Sequence, residues 1–112
     1  MRPAERLRKG REFDSVYERG TTAVGPLFVV RRIDITDGRP GRWGFAVGKR
    51  MVPGSPERNR IRRRMRVAAS TLGDAVHADI VVTARARSRS ASVDEMAAAL
   101  RRQLHAGGGG SQ

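Results

Sequence analysis

The side chains of this 112-residue chain that could do chemistry are most concentrated in a run of eighteen residues, 49–66. Eight of them are basic and one, Glu57, is acidic, so the run carries +7 of the formal net charge of +12. Every cation from 58 to 66 is an arginine, whose planar guanidinium pairs with phosphate through two hydrogen bonds and also stacks on bases. Asn59 adds a donor and an acceptor suited to sugar hydroxyls or base edges. The run is typical of a surface that binds a polyanion.

The same run has the pattern of an amphipathic helix. Ser55 is the predicted N-cap, Pro56 suits the first helical position, and Glu57 suits the positive end of the helix dipole. Apolar side chains recur at helical spacing from Ile61 to Leu72, which predicts a buried stripe under an arginine-rich face. Arginines one turn apart repel each other by about 0.2–0.5 kcal/mol per pair, and an external anion would relieve this cost. A merely solvated basic face is the alternative, and we favour nucleic-acid binding.

Composition and length limit the classes of protein to which this chain can belong. A chain of 112 residues forms one domain with a modest core, and its strong positive charge steers it towards RNA or DNA. The absence of cysteine excludes disulfides, thiolate metal sites and a cysteine nucleophile. No apolar segment suits a signal peptide or is long enough to span a bilayer. We therefore expect a cytoplasmic protein with no membrane partner.

The rest of the chain predicts the elements that must position the basic helix. They are a helix over 10–20, strands over 21–23, 27–35, 42–48 and 79–84, and a closing helix from 92 to 104. We expect a turn or hairpin at 37–41 to make strand 42–48 antiparallel to the strand before it. The crossover through the basic helix should pair strand 79–84 in parallel, and pattern alone leaves its hand open. This order predicts an α+β domain with one mixed sheet.

Two aromatic residues of the first predicted helix are a second candidate for binding. Phe13 and Tyr17 lie with Val16 on one face of that helix. Aromatic residues at this spacing are more often part of a core. If the helix borders a groove, however, the two rings would be able to stack on unpaired bases.

No constellation of residues predicts catalysis by the protein itself. His77 and His105 have no carboxylate or cysteine partner at the spacing of metal ligands. Asp79 lacks the second acid of a two-metal nuclease, and the glycines do not follow the Walker spacing of a phosphate loop. We therefore predict no catalytic residue, no metal site in the protein and no small-molecule cofactor.

Four stretches resemble the protein subunit of bacterial ribonuclease P. They are Arg6–Lys9 followed by Phe13, Tyr17 and Gly20; Arg42–Arg50; Arg58–Arg66, which resembles the arginine-asparagine-arginine signature helix of that family; and Asp79–Arg85. Together they cover residues 6–104 in the expected order. The signature tripeptide alone would be weak, but in this context it is specific.

The resemblance implies a fold, a function and partners. It implies a single αβββαβα domain with a left-handed βαβ crossover, like domain 2 of ribosomal protein S5. This domain would span 10–105, between a basic segment, 1–9, and a flexible glycine-rich tail, 106–112. The implied holoenzyme removes the 5′ leader of precursor tRNA, and its large RNA subunit performs the Mg²⁺-dependent hydrolysis. The implied partners are that RNA subunit and precursor tRNA.

The resemblance also implies two sets of binding residues. The contacts to the catalytic RNA would be Arg58, Asn59, Arg60, Arg62, Arg63 and Arg66, supported by Lys49 and Arg50. The cleft for the single-stranded leader would be lined by Phe13, Tyr17, Phe28 and Arg31, with Lys9 reaching the leader backbone. Arg31 departs from the family, because this cleft position is often aromatic; its guanidinium would stack or pair with phosphate. The loop Met51–Glu57 is one residue longer than usual.

Three other functions remain as alternatives. A ribosomal or ribosome-assembly protein would share the charge and the RNA ligand, and association with mature ribosomes would favour it. A DNA-binding regulator would need a second helix just before residue 55, where the pattern predicts strand and loop. A stand-alone nuclease would cleave RNA with Mg²⁺ alone, and the missing pair of acids argues against it.

Overall fold

The computed structural model describes residues 5–6, 11–36, 38, 41–72 and 77–109. Its elements are β1 (Glu5–Arg6), α1 (Arg11–Arg19), β2 (Thr21–Val24), β3 (Phe28–Asp34), β4 (Arg42–Ala46), α2 (Ser55–Ser70), β5 (Ala78–Ala84), a 3-10 helix (Ala86–Ser90) and α3 (Val93–Gly109). Apart from the two-residue β1 and the 3-10 helix, this is the predicted αβββαβα order, and the α+β class is confirmed.

The sheet has the order β1-β4-β5-β3-β2. The predicted parallel pairing across α2 is confirmed, because β4 pairs in parallel with β5. Strand β4 runs antiparallel to β3 as predicted, but the predicted hairpin between them is wrong, since β5 lies between the two strands and pairs antiparallel with β3. All but one of the seven residues of β5 are buried. A central place in the sheet, with both faces covered, therefore removes the most apolar surface of this strand from water.

The two faces of the sheet are covered by different helices. Helices α2 and α3 pack on one face, and α1 packs on the other through Val16, which contacts Val81 and Ile33. The larger core contains Phe28 and Val30 of β3, Trp43 of β4, Ile80 and Val82 of β5, Ile61 and Met65 of α2, and Met96, Leu100 and Leu104 of α3. The predicted buried stripe of α2 is therefore confirmed, and Arg60 and Arg63 lie on the exposed side of the helix.

The helix ends agree with the sequence in part. Helix α3 begins with the predicted capping box: the Glu95 backbone N–H donates to Ser92 Oγ at 3.1 Å, and the Ser92 N–H donates to Glu95 Oε1 at 2.8 Å. The predicted cap of α2 is wrong, because Ser55 is already helical and Gly54 is the N-cap, without a side-chain hydrogen bond. Helix α3 was predicted to end at residue 104, but it continues to Gly109, into the segment predicted as a flexible tail.

Gly20 joins α1 to β2 at a point where two backbones meet. Its N–H donates to the Val16 carbonyl at 2.9 Å, and a Cβ here would lie 2.6 Å from that oxygen and 2.7 Å from the Arg32 carbonyl oxygen. Because both clashing atoms belong to the backbone, we expect Gly20→Ala to lower the free energy of unfolding by about 1–3 kcal/mol. Urea denaturation of this variant and of Gly48→Ala, whose Cβ would meet open space, tests this. Equal stability of the two variants would contradict the prediction.

Candidate nucleic-acid interface

The packing of α2 sorts its arginines into exposed and half-buried groups. Ile61 and Met65 face the core, so Asn59, Arg60 and Arg63 lie on the exposed side of the helix. Arg60 and Arg63 make no hydrogen bond or ion pair with any residue that the structure describes. Their guanidinium groups are therefore available to an external anion.

Arg58 is the first member of the predicted set that the fold uses internally. Its Nη1 donates to the Val52 carbonyl at 2.8 Å and to the Pro53 carbonyl at 2.6 Å. Both acceptors lie in the loop that enters α2, and Val52 is fully buried. Arg58 is half-buried and holds this loop against the first turn of the helix. Its contribution to an anion-binding surface is consequently smaller than its position in the arginine run suggested.

Two further arginines of the predicted set are half-buried. Arg62 donates through Nη2 to Asn59 Oδ1 one turn earlier on the helix. This bond uses the acceptor of the Asn59 amide and leaves its NH₂ group as a donor at the surface. Arg66, one turn further along, is also half-buried. The predicted set therefore contains two exposed arginines, Arg60 and Arg63, and three half-buried ones.

Lys49 and Arg50 lie in the turn between β4 and α2, and both are exposed. The turn is closed by a hydrogen bond from the Val52 N–H to the Gly48 carbonyl at 3.0 Å. Because this turn leads directly into the loop held by Arg58, its two cations lie on the chain segment next to the basic helix. They extend the positively charged surface beyond α2.

The 3-10 helix joins this surface through contacts that sequence reasoning did not predict. The Arg89 guanidinium lies 3.2 Å from Glu57, and its Nη1 donates to the Met51 carbonyl at 3.4 Å. Arg64 Nη2 donates in turn to the Arg89 carbonyl at 3.0 Å. Glu57, the one acid of the arginine run, is thereby paired with a cation. These partners are 25–38 residues apart in the chain, so no local pattern could reveal them.

A second candidate surface lies where α1 meets the other face of the sheet. Tyr17 is 40% exposed, and its hydroxyl lies 3.4 Å from Thr83 Oγ1. The Arg31 guanidinium carbon lies 4.6 Å from the centroid of the Tyr17 ring, which is the geometry of a cation–π contact. The structure therefore brings together two of the residues that were predicted for a leader cleft. Thr83 was not predicted, although strand alternation places it on the same face as Val81.

Phe28 does not belong to this surface, which corrects the prediction that it lines a cleft. Its side chain is 0% exposed and lies in the core under α2 and α3. Side chains alternate along a strand, so Phe28 and Arg31, three residues apart in β3, point to opposite faces. This alternation was readable in the sequence. Phe13 lies in α1 but its side chain, like all of Lys9, is outside the described part of the chain.

The acids and histidines of the described residues form no group of three or more that could hold a metal ion. His77 and His105 are exposed. Asp79 is 4% exposed and pairs with Arg42, whose Nη2 lies 2.9 Å from Asp79 Oδ2.

Within the described ranges, no helix has the length and apolar character needed to cross a membrane.

Comparison with known proteins adds independent findings. The family model for ribonuclease P matches residues 1–106. The ribonuclease P protein component of Dehalococcoides mccartyi (strain CBDB1) is 38% identical over 96 residues, which is 86% of this chain and 78% of the relative. That of Acidothermus cellulolyticus is 41% identical over 102 residues, which is 88% of this chain and 84% of the relative.

Solved structures show the same fold. The RNase P protein of Staphylococcus aureus matches with a TM-score of 0.76 at 24% identity, covering 90% of this chain and 93% of that chain. The RNase P protein from Thermotoga maritima matches with a TM-score of 0.68 at 22% identity, covering 89% and 91%.

Proposed function

This chain belongs to the ribonuclease P protein family, and from that membership we propose that it is the protein subunit that binds the catalytic RNA and the 5′ leader of precursor tRNA. In this proposal α2 and the turn before it bind the RNA subunit. The face of the sheet beside α1 binds the single-stranded leader. The holoenzyme then removes the leader to give the mature 5′ end of the tRNA.

The exposed cations of α2 are the observation that carries the proposal. Arg60 and Arg63 project from a helix whose opposite face is buried, and they have no protein partner among the described residues. Exposed Lys49 and Arg50 continue the same charge in the preceding turn. Phosphates that neutralise these cations would release bound counterions, so binding should weaken steeply with salt.

The surface beside α1 supports the second half of the proposal. Tyr17 offers a partly exposed ring, and Arg31 supplies a cation next to it. Aromatic rings and arginines in a groove bind single-stranded nucleic acid of any sequence, which is the requirement for leaders that differ between tRNAs. Val24, 66% exposed, lies on the same face and adds apolar surface.

We place the Mg²⁺-dependent hydrolysis in the RNA subunit, as the resemblance to the family implies. In that arrangement the residues of this chain bind and orient RNA, and no proton transfer is assigned to them. We also place this function in the cytoplasm, as expected from a sequence without cysteine.

Reconstitution tests the proposal. The purified protein is mixed with a bacterial ribonuclease P RNA at low Mg²⁺, and 5′ processing of a precursor tRNA is followed. We expect cleavage at the mature 5′ end only when both are present. Cleavage by the protein alone would reveal an active site in this chain. Tight RNA binding without stimulation of cleavage would favour a ribosomal or ribosome-assembly protein instead.

A further inference from the structure

Arg31 and Tyr17 form a pair on an open part of the sheet. Arg31 is half-buried in β3, where it lies opposite Thr22 of β2 on one side and Val81 of β5 on the other. Thr22 and Val24, which share this face, are exposed. The guanidinium of Arg31 is therefore held near the middle of the sheet and remains within reach of solvent.

The next arginine of β3, Arg32, differs from Arg31 because its guanidinium is bonded to other parts of the protein. Arg32 donates to Asp34 Oδ1 through Nε at 3.1 Å and Nη2 at 2.7 Å, and to the Leu104 carbonyl through Nη1 at 3.2 Å. Arg31 makes no hydrogen bond or ion pair with any described residue, and its contact there is the Tyr17 ring. Arg32 therefore uses its donors within the protein, whereas the N–H donors of Arg31 make no hydrogen bond to a described residue.

A guanidinium held over a ring is well prepared to bind a phosphate. The Arg31 guanidinium carbon lies over the Tyr17 ring, 4.6 Å from its centroid, and none of its five N–H donors bonds to a described residue. The contact with the ring therefore restricts the position of the guanidinium without using its donors. A base cannot stack on the covered face of Tyr17 unless Arg31 moves.

We propose that Arg31, held over the ring of Tyr17, binds a backbone phosphate of the single-stranded leader. At this position the cleft recognises the charge of the RNA backbone, and the base carried by that nucleotide makes little difference. The inference rests on the proposed function, since it names the group that one point of the leader cleft binds. Tyr17 acts here as a positioning residue for the guanidinium.

Modified leaders separate recognition of charge from recognition of a base. The assay measures the affinity of the reconstituted holoenzyme for four kinds of substrate: the precursor tRNA, leaderless tRNA, precursors with one neutral methylphosphonate linkage at successive leader positions, and precursors with one abasic nucleotide at the same positions. For the wild type we expect a loss of about five- to tenfold at one methylphosphonate position. The abasic series should change affinity less than about twofold at the nucleotide that carries this phosphate.

The variant Arg31→Gln should lose the same five- to tenfold with the unmodified precursor and become insensitive to the methylphosphonate. Its affinity should also depend less on salt, with the slope of log affinity against log salt reduced by about 0.7 for one phosphate contact to a single strand. Unchanged binding of leaderless tRNA would show that its fold is intact. Arg102→Gln, which removes an equal charge from the exposed surface of α3, is the matched control and should behave as the wild type.

Tyr17 separates positioning of the guanidinium from stacking on a base. Tyr17→Phe keeps the ring and should retain leader affinity, whereas Tyr17→Leu should lose about threefold because Arg31 is no longer oriented. If this loss persists with every abasic leader, the ring acts through Arg31. If it disappears with one abasic leader, the ring stacks on that base and the positioning role is wrong.

Two results distinguish failure of this inference from failure of the proposed function. The inference is overturned if Arg31→Gln retains full leader affinity, or if the abasic loss at the nucleotide that carries this phosphate equals the methylphosphonate loss there. If the wild-type holoenzyme binds leaderless tRNA as tightly as the precursor, the leader cleft itself is wrong.

Discussion

Replacing Arg60 and Arg63 together by glutamine is expected to weaken binding of the ribonuclease P RNA by about 100-fold. Each arginine is exposed and unpaired within the described residues, so each can make a charge-assisted contact to phosphate. Such a contact contributes about 1.5 kcal/mol at the low end of its range, and about 1.4 kcal/mol corresponds to a tenfold change in affinity. Two lost contacts therefore predict a loss of about two orders of magnitude, measured by titration of labelled RNA.

The salt dependence of that binding shows whether the two arginines contact phosphates. Loss of two phosphate contacts should reduce the slope of log affinity against log salt by about 1.8 units. Arg101→Gln with Arg102→Gln removes the same two charges from exposed positions on α3. An equal loss in this control would mean that α2 contributes net charge alone, and no loss in the α2 variant would contradict the proposed interface.

Removing the carboxylate of Asp79 should be the most destabilising of the single substitutions considered. Its Oδ2 accepts from Arg42 Nη2 at 2.9 Å, and its Oδ1 accepts from the Arg42 backbone N–H at 3.2 Å. The Asp79 side chain is 5% exposed and that of Arg42 is 22% exposed, so Asp79→Ala removes the carboxylate that pairs with a guanidinium less than a quarter exposed. Breaking a buried ion pair costs about 3–5 kcal/mol, and the partial exposure of Arg42 places the expected loss at about 3 kcal/mol. Urea denaturation measures it.

A second arginine–aspartate pair on the surface provides the control. Arg32 lies 2.7 Å from Asp34, whose side chain is 65% exposed, so solvent already screens this pair. Asp34→Ala should change the free energy of unfolding by less than about 1 kcal/mol. A double variant, Arg42→Met with Asp79→Leu, should recover much of the stability lost in Asp79→Ala, because both charges of the pair are removed together. Comparable losses for both aspartate variants would contradict the argument from burial.

The helices were the part of the fold that could be predicted with the smallest errors. The stripe from Ile61 to Ala69 is buried as helical periodicity requires, and the capping box at Ser92 starts α3. Both signals depend on residues within one or two turns, so they are present in the sequence itself. The cap of α2 was the exception, because Ser55 and Gly54 are both compatible with a helix start and the loop geometry selects Gly54.

The candidate site was predicted as a region and only partly as a set of residues. Charge density located the arginine run, and the position of the buried stripe would already favour Arg60 and Arg63 as its outward members. Nothing local indicated that Arg58 would bind the Val52 and Pro53 carbonyls. Phe28 was assigned to the cleft by resemblance, against the alternation of β3 that places it in the core.

The sequence by itself determined the charge of the protein, the periodicity of its helices and strands, and its membership of the ribonuclease P protein family. Tertiary structure decided that β5 separates β3 from β4, that Arg89 pairs with Glu57, and that Arg31 lies over the Tyr17 ring. The physical reason is the range of the interactions. Periodicity and capping act over a few residues, whereas strand order and hydrogen-bond partners are chosen among groups that only the folded chain brings together.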